Sequence, residues 1–188
     1  MAMLKIEKRK EYMEHLGFTY DKAGIKKLQK KFFKRKSDID GIYGKNTDIL
    51  LYNAYWFSVI CTHFKLEEFI CPMYCTGYPC RVNKKLLYAM EKIRKHCKVS
   101  VIVTCGARCG KYNNSLTGSV QNSAHLYFKA ADHYAKGHTD TTANRKKYIK
   151  WLKKNIDGFK YAYGNGYSSY GTKVYAPNMG NAVHIEVA

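Results

Sequence analysis

Three residues in the C-terminal half of the chain, His125, Asp132 and His184, could together hold a metal ion. Three nitrogen or oxygen ligands with one open coordination position are typical of a catalytic zinc site, because the open position admits a water molecule. The spacing of His125 and Asp132 is too long for ligands on one helical turn, but it suits a loop followed by a strand. The set is therefore a candidate zinc site, while a hydrogen-bonded surface or core histidine is the simpler interpretation of each imidazole taken alone.

The residues around His184 predict a closing strand. Residues 183–187 alternate aliphatic and polar side chains, so the aliphatic ones should face the core while His184 and Glu186 share the opposite face. Glu186 could be the general base or could orient a ligand imidazole, and the second role is slightly favoured because a base must reach the water. His133 is a weaker candidate, since its ring is expected on the other side of its element.

Three segments of the chain share a pattern with one known family. Residues 123–132 read SAHLYFKAAD, close to a SxHxxGxAxD signature. Residues 103–109 read VTCGARC and are followed by Tyr112-Asn113, and residues 183–186 read VHIE. Together, and in this order, the segments resemble the D-alanyl-D-alanine carboxypeptidase family of zinc peptidases. The resemblance extends from about Phe64 to the C-terminus.

This resemblance implies both a set of site residues and an activity. The implied metal ligands are His125, Asp132 and His184, and the implied substrate-binding residues are Arg108, Ser123 and Tyr112. Arg108 would also be catalytic, because a guanidinium can grip a terminal carboxylate or stabilise the oxyanion of a tetrahedral intermediate. The implied reaction is hydrolysis of an amide bond in the peptide part of bacterial peptidoglycan, by a D,D-carboxypeptidase or an endopeptidase.

Two positions depart from the family pattern. Phe128 stands where the signature has glycine, which changes the bulk and backbone freedom between the first two ligands. Asn181 stands three residues before the last histidine, where many relatives have the carboxylate that acts as general base. A neutral amide cannot accept a proton from the attacking water. The chain could therefore be a wall-binding protein that retains the zinc-peptidase fold without catalysis.

The first sixty residues predict a small all-α module. An amphipathic helix begins near Ile25 and carries Leu28-Gln29, and a turn with the sequence DGIYG at residues 40–44 follows. Asn46 or Thr47 is expected to cap a second helix. These pieces resemble the peptidoglycan-binding module found on many wall hydrolases. We therefore divide the chain into a helical module at residues 1–60 and a zinc peptidase domain at residues 61–188.

The second unit mixes helices with strands. Helical periodicity covers residues 84–97 and a segment through residues 148–152, while strand-like alternation covers residues 99–104, 159–163 and 182–187. The pattern predicts an α+β fold with an antiparallel sheet and flanking helices, preceded by the all-α module.

The chain is strongly basic, with 33 Lys and Arg against 14 Asp and Glu and a formal charge of +19. This charge suits anionic cell-wall polymers, whereas a primary role in nucleic-acid binding is disfavoured because the basic residues are not concentrated on one recognition element. The sequence contains no apolar run of membrane-spanning length and no export signal. We therefore expect a protein made in the cytoplasm that acts at the bacterial wall, as a phage endolysin or an autolysin. An enzyme that trims released wall fragments is the alternative.

Seven cysteines are many for a chain of 188 residues. Two pairs share a CxxxC spacing, so a structural zinc is conceivable in addition to the catalytic one. The four candidate ligands are Cys71, Cys75, Cys105 and Cys109. Unpaired buried thiols are the simpler interpretation.

Overall fold

Helices and one antiparallel sheet form the part of the chain that the computed structural model describes, which is residues 2–73 and 75–188. The α-helices are α1 (Ile6–His15), α2 (Lys22–Phe32), α3 (Lys45–Ile60), α4 (Lys84–Cys97), α5 (Gly110–Ser115) and α6 (Thr142–Asn155). The strands are β1 (Val101–Cys105), β2 (Ala130–Ala135), β3 (Phe159–Gly164), β4 (Tyr167–Ser168) and β5 (Val183–Val187). Short 3₁₀ helices lie at Lys36–Asp38, Leu66–Phe69, Ala124–Tyr127 and Pro177–Met179.

The sheet has five strands in the order β1-β2-β5-β3-β4, and all neighbouring strands are antiparallel. The last strand in sequence, β5, is therefore the central one. Its residues Val183, Ile185 and Val187 are completely buried in the core that the sheet shares with the helices. The predicted α+β fold, with an antiparallel sheet and flanking helices, is confirmed.

The predicted helices form close to the expected bounds, with one difference at the start of α3. Its N-terminal cap is Gly44, so the prediction that Asn46 or Thr47 caps this helix is wrong. The Thr47 hydroxyl instead donates to the carbonyl of Ile42 at 3.2 Å and accepts a hydrogen bond from Gln29 at 3.0 Å. The side chain of Thr47 thus stabilises the preceding loop.

A hydrogen-bond network around the buried side chain of Gln29 explains the motif residues of the N-terminal helices. Gln29 is 1% exposed, and its amide group donates to Asp40 Oδ1 at 2.9 Å and accepts from the Gly41 N–H at 2.7 Å. Gly41 has a φ of +77°, and a Cβ there would lie 2.9 Å from the carbonyl oxygen of Lys22. Gln29 and Gly41 therefore fix the loop between α2 and α3.

Helix α3 packs directly against the part of the chain that carries the sheet. The rings of Phe57 and Phe69 lie 5.1 Å apart, and Phe69 in turn lies 6.1 Å from Phe128. The Asn53 carboxamide accepts a hydrogen bond from the Val82 N–H at 2.7 Å. One hydrophobic core therefore includes residues from both sides of the predicted boundary at residues 60 and 61.

Glu91 on α4 anchors the segment that follows α3. Its carboxylate accepts hydrogen bonds from the backbone N–H groups of Thr62 and His63, at 3.0 and 2.9 Å, and from the His63 ring at 2.7 Å. Burial opposes ionisation of Glu91, but the hydrogen bonds from His63 and Thr62 outweigh it and hold the pKa of this carboxyl below its usual value.

We expect Glu91→Gln to lower the free energy of unfolding by about 1–3 kcal/mol at neutral pH, because buried donors lose a charged acceptor. A depressed carboxyl pKa stabilises the fold above the unfolded-state pKa, and this contribution disappears as the pH falls through the folded-state value. Urea unfolding at neutral and acidic pH should therefore show a difference that shrinks in acid. Glu14→Gln, at an exposed position, is the control. An equal loss of unfolding free energy at both pH values would contradict this explanation.

Candidate metal centre

The three predicted metal ligands lie together on one face of the sheet. His125 belongs to the 3₁₀ turn Ala124–Tyr127, Asp132 lies on β2, and His184 lies opposite Asp132 on β5. Asp132 Oδ1 is 2.8 Å from His184 Nδ1 and 3.2 Å from His125 Nε2, and the two ring nitrogens are 3.2 Å apart. Each residue is less than a tenth exposed. Loop and strand thus bring the three side chains together.

The protonation pattern of these ligands suits a cation. His125 Nδ1 lies 2.7 Å from the carbonyl oxygen of Gly106, which can only accept, so Nδ1 carries the proton and Nε2 offers a lone pair. That lone pair points toward His184 Nδ1 and the Asp132 carboxylate. Three electron-rich atoms converge in a buried position, and a metal ion such as Zn²⁺ would satisfy all three.

Electrostatics favour the ligand forms of Asp132 and His184. Burial by itself would raise the pKa of Asp132, but the adjoining imidazoles of His125 and His184 outweigh it and hold that pKa far below the usual range. Burial lowers the pKa of His184, and the opposing effect of Asp132 only partly offsets it. At neutral pH the pair is therefore an anionic carboxylate and a neutral imidazole, the forms that bind metals.

Phe128 closes the turn that presents His125. Its backbone is left-handed, with φ 50° and ψ 41°, which is the conformation that glycine adopts most readily. The N–H of Phe128 donates to the His125 carbonyl at 3.3 Å, and the N–H of Lys129 donates to the Ala124 carbonyl at 3.0 Å. Phe128 therefore adopts a backbone conformation that the signature glycine would also permit, and its side chain is fully buried in the core.

Arg108 lies beside the candidate ligands. Its guanidinium donates to Asp132 Oδ2 at 2.8 Å and to the sulfur of Cys105 at 3.0 Å. Its backbone N–H donates to the His125 carbonyl at 3.1 Å. These contacts hold the second carboxylate oxygen of Asp132, so that Oδ1 faces the two histidines.

The other predicted substrate-binding residues flank this centre. Ser123 is 6% exposed and lies two positions before His125, where its carbonyl accepts the Leu126 N–H at 3.0 Å. Tyr112 is partly buried on α5. Burial raises the pKa of Tyr112, the negative charge of Cys105 adds to this effect and the positive charge of Arg108 opposes it. Contact of these residues with substrate stays a prediction.

The two candidate bases, Glu186 and His133, lie in different environments. Glu186 shares the sheet face of His184, but its carboxylate pairs with Lys160 at 2.7 Å. His133 points to the opposite face, where it is fully buried and bonds the Tyr148 hydroxyl at 2.6 Å. Burial lowers the pKa of His133 to about 4.

Asn181 is exposed, and its side-chain oxygen accepts a hydrogen bond from Arg145 at 3.3 Å. Among the described residues, neither Asn181 nor Glu186 makes a hydrogen bond to the three ligands.

A row of tyrosines next to His184 was not expected from the sequence. The ring of Tyr163, which pairs with His184 across β3 and β5, lies 5.0 Å from the imidazole. Tyr161 stacks on Tyr163 at 5.5 Å and on Tyr170 at 5.0 Å, and Tyr170 is 72% exposed. The alternation of residues 159–163 predicted the strand, but not which strand β3 would pair with. The row extends from the ligand set to solvent.

The structure corrects the predicted four-cysteine zinc site. Cys71, Cys75 and Cys109 come together, but Cys105 groups with His125 and Asp132 instead. The reason is that Cys105 ends β1 in register with Asp132, so its thiol lies on the metal side of the sheet. All seven cysteines are free thiols.

The fold and the candidate metal ligands are those expected of a metallopeptidase. Comparison with known families agrees, because the model of the Peptidase M15 family matches residues 62–162, more than half of the 188-residue chain. The chain belongs to the Peptidase M15 family, whose members are zinc peptidases that act on peptidoglycan peptides. The matched range contains His125 and Asp132 but ends before His184, which lies beside both of them in the structure.

A search of curated proteins and a search of solved structures each found no match. In the described part of the chain, no helix combines the length and the apolar character that a membrane crossing requires.

Proposed function

We propose that this protein is a zinc-dependent peptidase that hydrolyses amide bonds in the stem or cross-bridge peptides of bacterial peptidoglycan. The observation that carries the proposal is the convergence of His125, Asp132 and His184, whose ligand atoms lie within 3.2 Å of one another. Zn²⁺ held there would supply Lewis-acid chemistry, acidifying water and polarising the carbonyl of an amide. The Arg108 guanidinium lies next to the same carboxylate.

The residues around the ligands have distinct proposed roles. Arg108 binds a terminal carboxylate of the stem peptide or stabilises the developing oxyanion. The tyrosine row from Tyr163 to Tyr170 provides a surface of apolar rings with polar hydroxyl groups, along which the substrate peptide lies. Glu186 orients the site through its ion pair with Lys160 or takes a proton through one intervening water.

The N-terminal helices are proposed to retain the enzyme on the wall. Their hydrogen-bond network of Gln29, Asp40, Gly41 and Thr47 is built from the residues that resemble a peptidoglycan-binding module. The formal charge of +19 favours anionic wall polymers as partners. Together these features support action at the bacterial wall, as a phage endolysin or an autolysin.

A second candidate is wall binding without catalysis. The observation that favours it is the environment of Asn181, an exposed amide engaged by Arg145 at the position where relatives have a carboxylate. In this alternative the metal would stabilise the fold, and the helices and the basic surface would carry the function.

The test is mass spectrometry of purified peptidoglycan after incubation with zinc-loaded protein, chelator-treated protein and the Asp132→Ala variant. We expect new peptide termini only with the zinc-loaded wild type, because Asp132→Ala removes a ligand and the partner of Arg108. Asp157→Ala, at an exposed aspartate, is the matched control and should keep full activity.

The products identify the bond that is cut. Release of single D-alanines indicates a carboxypeptidase, while solubilised sacculi indicate an endopeptidase. Unchanged walls in every sample, with protein that pellets with the sacculi in a salt-sensitive way, would establish the binding alternative. Unchanged walls without such pelleting would refute both candidates.

A further inference from the structure

Three cysteines form a compact group outside the peptidase centre. The sulfur atoms of Cys71, Cys75 and Cys109 all lie within 4.8 Å of one another. Cys71 and Cys75 belong to the loop before α4, and Cys109 is the residue that caps α5. Cys71 is completely buried and the other two are partly buried. Two distant segments of the chain thus present three free thiols to one point.

Each of the three sulfurs accepts a hydrogen bond from a backbone N–H group. The donors are Gly77 for Cys75 at 3.3 Å, Cys109 for Cys71 at 3.4 Å and Tyr112 for Cys109 at 3.4 Å. Such bonds stabilise a thiolate more than a neutral thiol.

Gly77 allows the first of these bonds. Its φ is +92°, and a Cβ at this position would lie 2.8 Å from the side chain of Ile70. Only glycine therefore fits the turn that aims the Gly77 N–H at the sulfur of Cys75.

We propose that Cys71, Cys75 and Cys109 bind a second Zn²⁺ as thiolates, with water or another small ligand in the fourth position. Zinc–sulfur bonds of about 2.3 Å place tetrahedral ligands roughly 3.8 Å apart, so the observed cluster needs only a small contraction. Binding displaces the thiol protons into solvent and requires no oxidant. Among the nearby basic groups, Lys34 bonds the Cys71 carbonyl at 3.0 Å and favours the resulting negative charge.

The proposed ion would have a structural role next to the active site. It would join Cys71 and Cys75 to Cys109, which directly follows Arg108 in the chain. The position of the guanidinium would then depend on the cysteine cluster as well as on Asp132. The ligand sets share no residue, so the inference does not rest on the proposed peptidase activity.

The test is zinc stoichiometry of the reduced protein by native mass spectrometry after addition of Zn²⁺ alone. We expect two zinc ions per chain in the wild type and one in Cys71→Ser or Cys109→Ser. Cys61→Ser, a cysteine outside both groups, is the matched control and should keep two. Asp132→Ala should also bind one, and this one should be the cluster ion.

Cobalt distinguishes the two sites. Co²⁺ bound by thiolates gives intense charge-transfer absorption in the near ultraviolet, which we expect in the wild type, in Asp132→Ala and in Cys105→Ser, but not in Cys109→Ser. Persistence of this band in Cys109→Ser would overturn the assignment. Retention by Asp132→Ala would support the cluster even if the peptidase proposal failed.

A measurement on the wild type alone guards against variants that do not fold. Three thiols should become unreactive toward an alkylating reagent when Zn²⁺ is added to the reduced protein. Full reactivity with zinc present would refute the site. So would peptide mapping of the natively purified protein that finds a disulfide joining two of the three cysteines.

Discussion

Arg108→Ala is expected to reduce the rate of peptide hydrolysis by about 10²- to 10³-fold, the usual effect of removing one group that stabilises an oxyanion. The guanidinium lies 2.8 Å from Asp132 Oδ2, so it is next to any carbonyl that approaches the ligand set. Arg108→Lys should recover only part of the rate, because an ammonium group cannot bind a carboxylate in the bidentate geometry of a guanidinium. The measurement is kcat/KM on a synthetic stem peptide.

Zinc content must be measured in the same preparations, because Arg108 also orients a ligand carboxylate. The rates are compared at saturating zinc, and the metal is quantified by native mass spectrometry. Lys111→Ala removes an exposed positive charge three positions away and serves as the control. A variant that keeps its zinc and loses activity supports a role on substrate. A variant that keeps both would refute that role.

The helices and strands could be predicted because their signals are local, whereas the candidate ligand set followed from the resemblance to a known family. Alternation in residues 183–187 placed His184 on the face opposite the buried aliphatic residues, and Val183 and Ile185 are indeed fully buried. Periodicity over residues 84–97 gave helix α4 at the same bounds. In each case the residues that carry the signal also make the contacts that stabilise the element.

Strand order lies beyond such local signals. β5, the last strand, is inserted between β2 and β3, and this pairing brings Tyr163 next to His184. The separation of Cys105 from the cluster of Cys71, Cys75 and Cys109 has the same origin, because the register of β1 places Cys105 opposite Asp132. A CxxxC spacing carries no information on the sheet face to which each thiol points. Long-range pairing decided both results.

Phe128 shows how one residue can satisfy two opposing requirements. The turn after His125 needs a left-handed backbone, which costs a residue other than glycine about 1 kcal/mol or more. The aromatic ring packs within 6.1 Å of Phe69 and 6.3 Å of Phe57, so it also joins the ligand loop to helix α3. Loss of a buried phenylalanine side chain costs about 3–5 kcal/mol, which exceeds the conformational gain.

We therefore expect Phe128→Ala to lower the free energy of unfolding by about 3–5 kcal/mol, and Phe128→Gly by about 1 kcal/mol less, because glycine leaves the same cavity without the strain. Urea unfolding of zinc-saturated protein measures both, and Tyr127→Ala, at a 56% exposed neighbour, is the control. Zinc affinity should fall in parallel, since the turn that aims His125 loses its packing. If Phe128→Gly matched the wild type in stability and zinc affinity, the backbone conformation alone would specify the turn. The signature glycine and Phe128 would then support the turn equally well. If both variants lose stability, and Phe128→Ala loses more than Phe128→Gly, the Phe128 side chain belongs to the core that positions the first metal ligand.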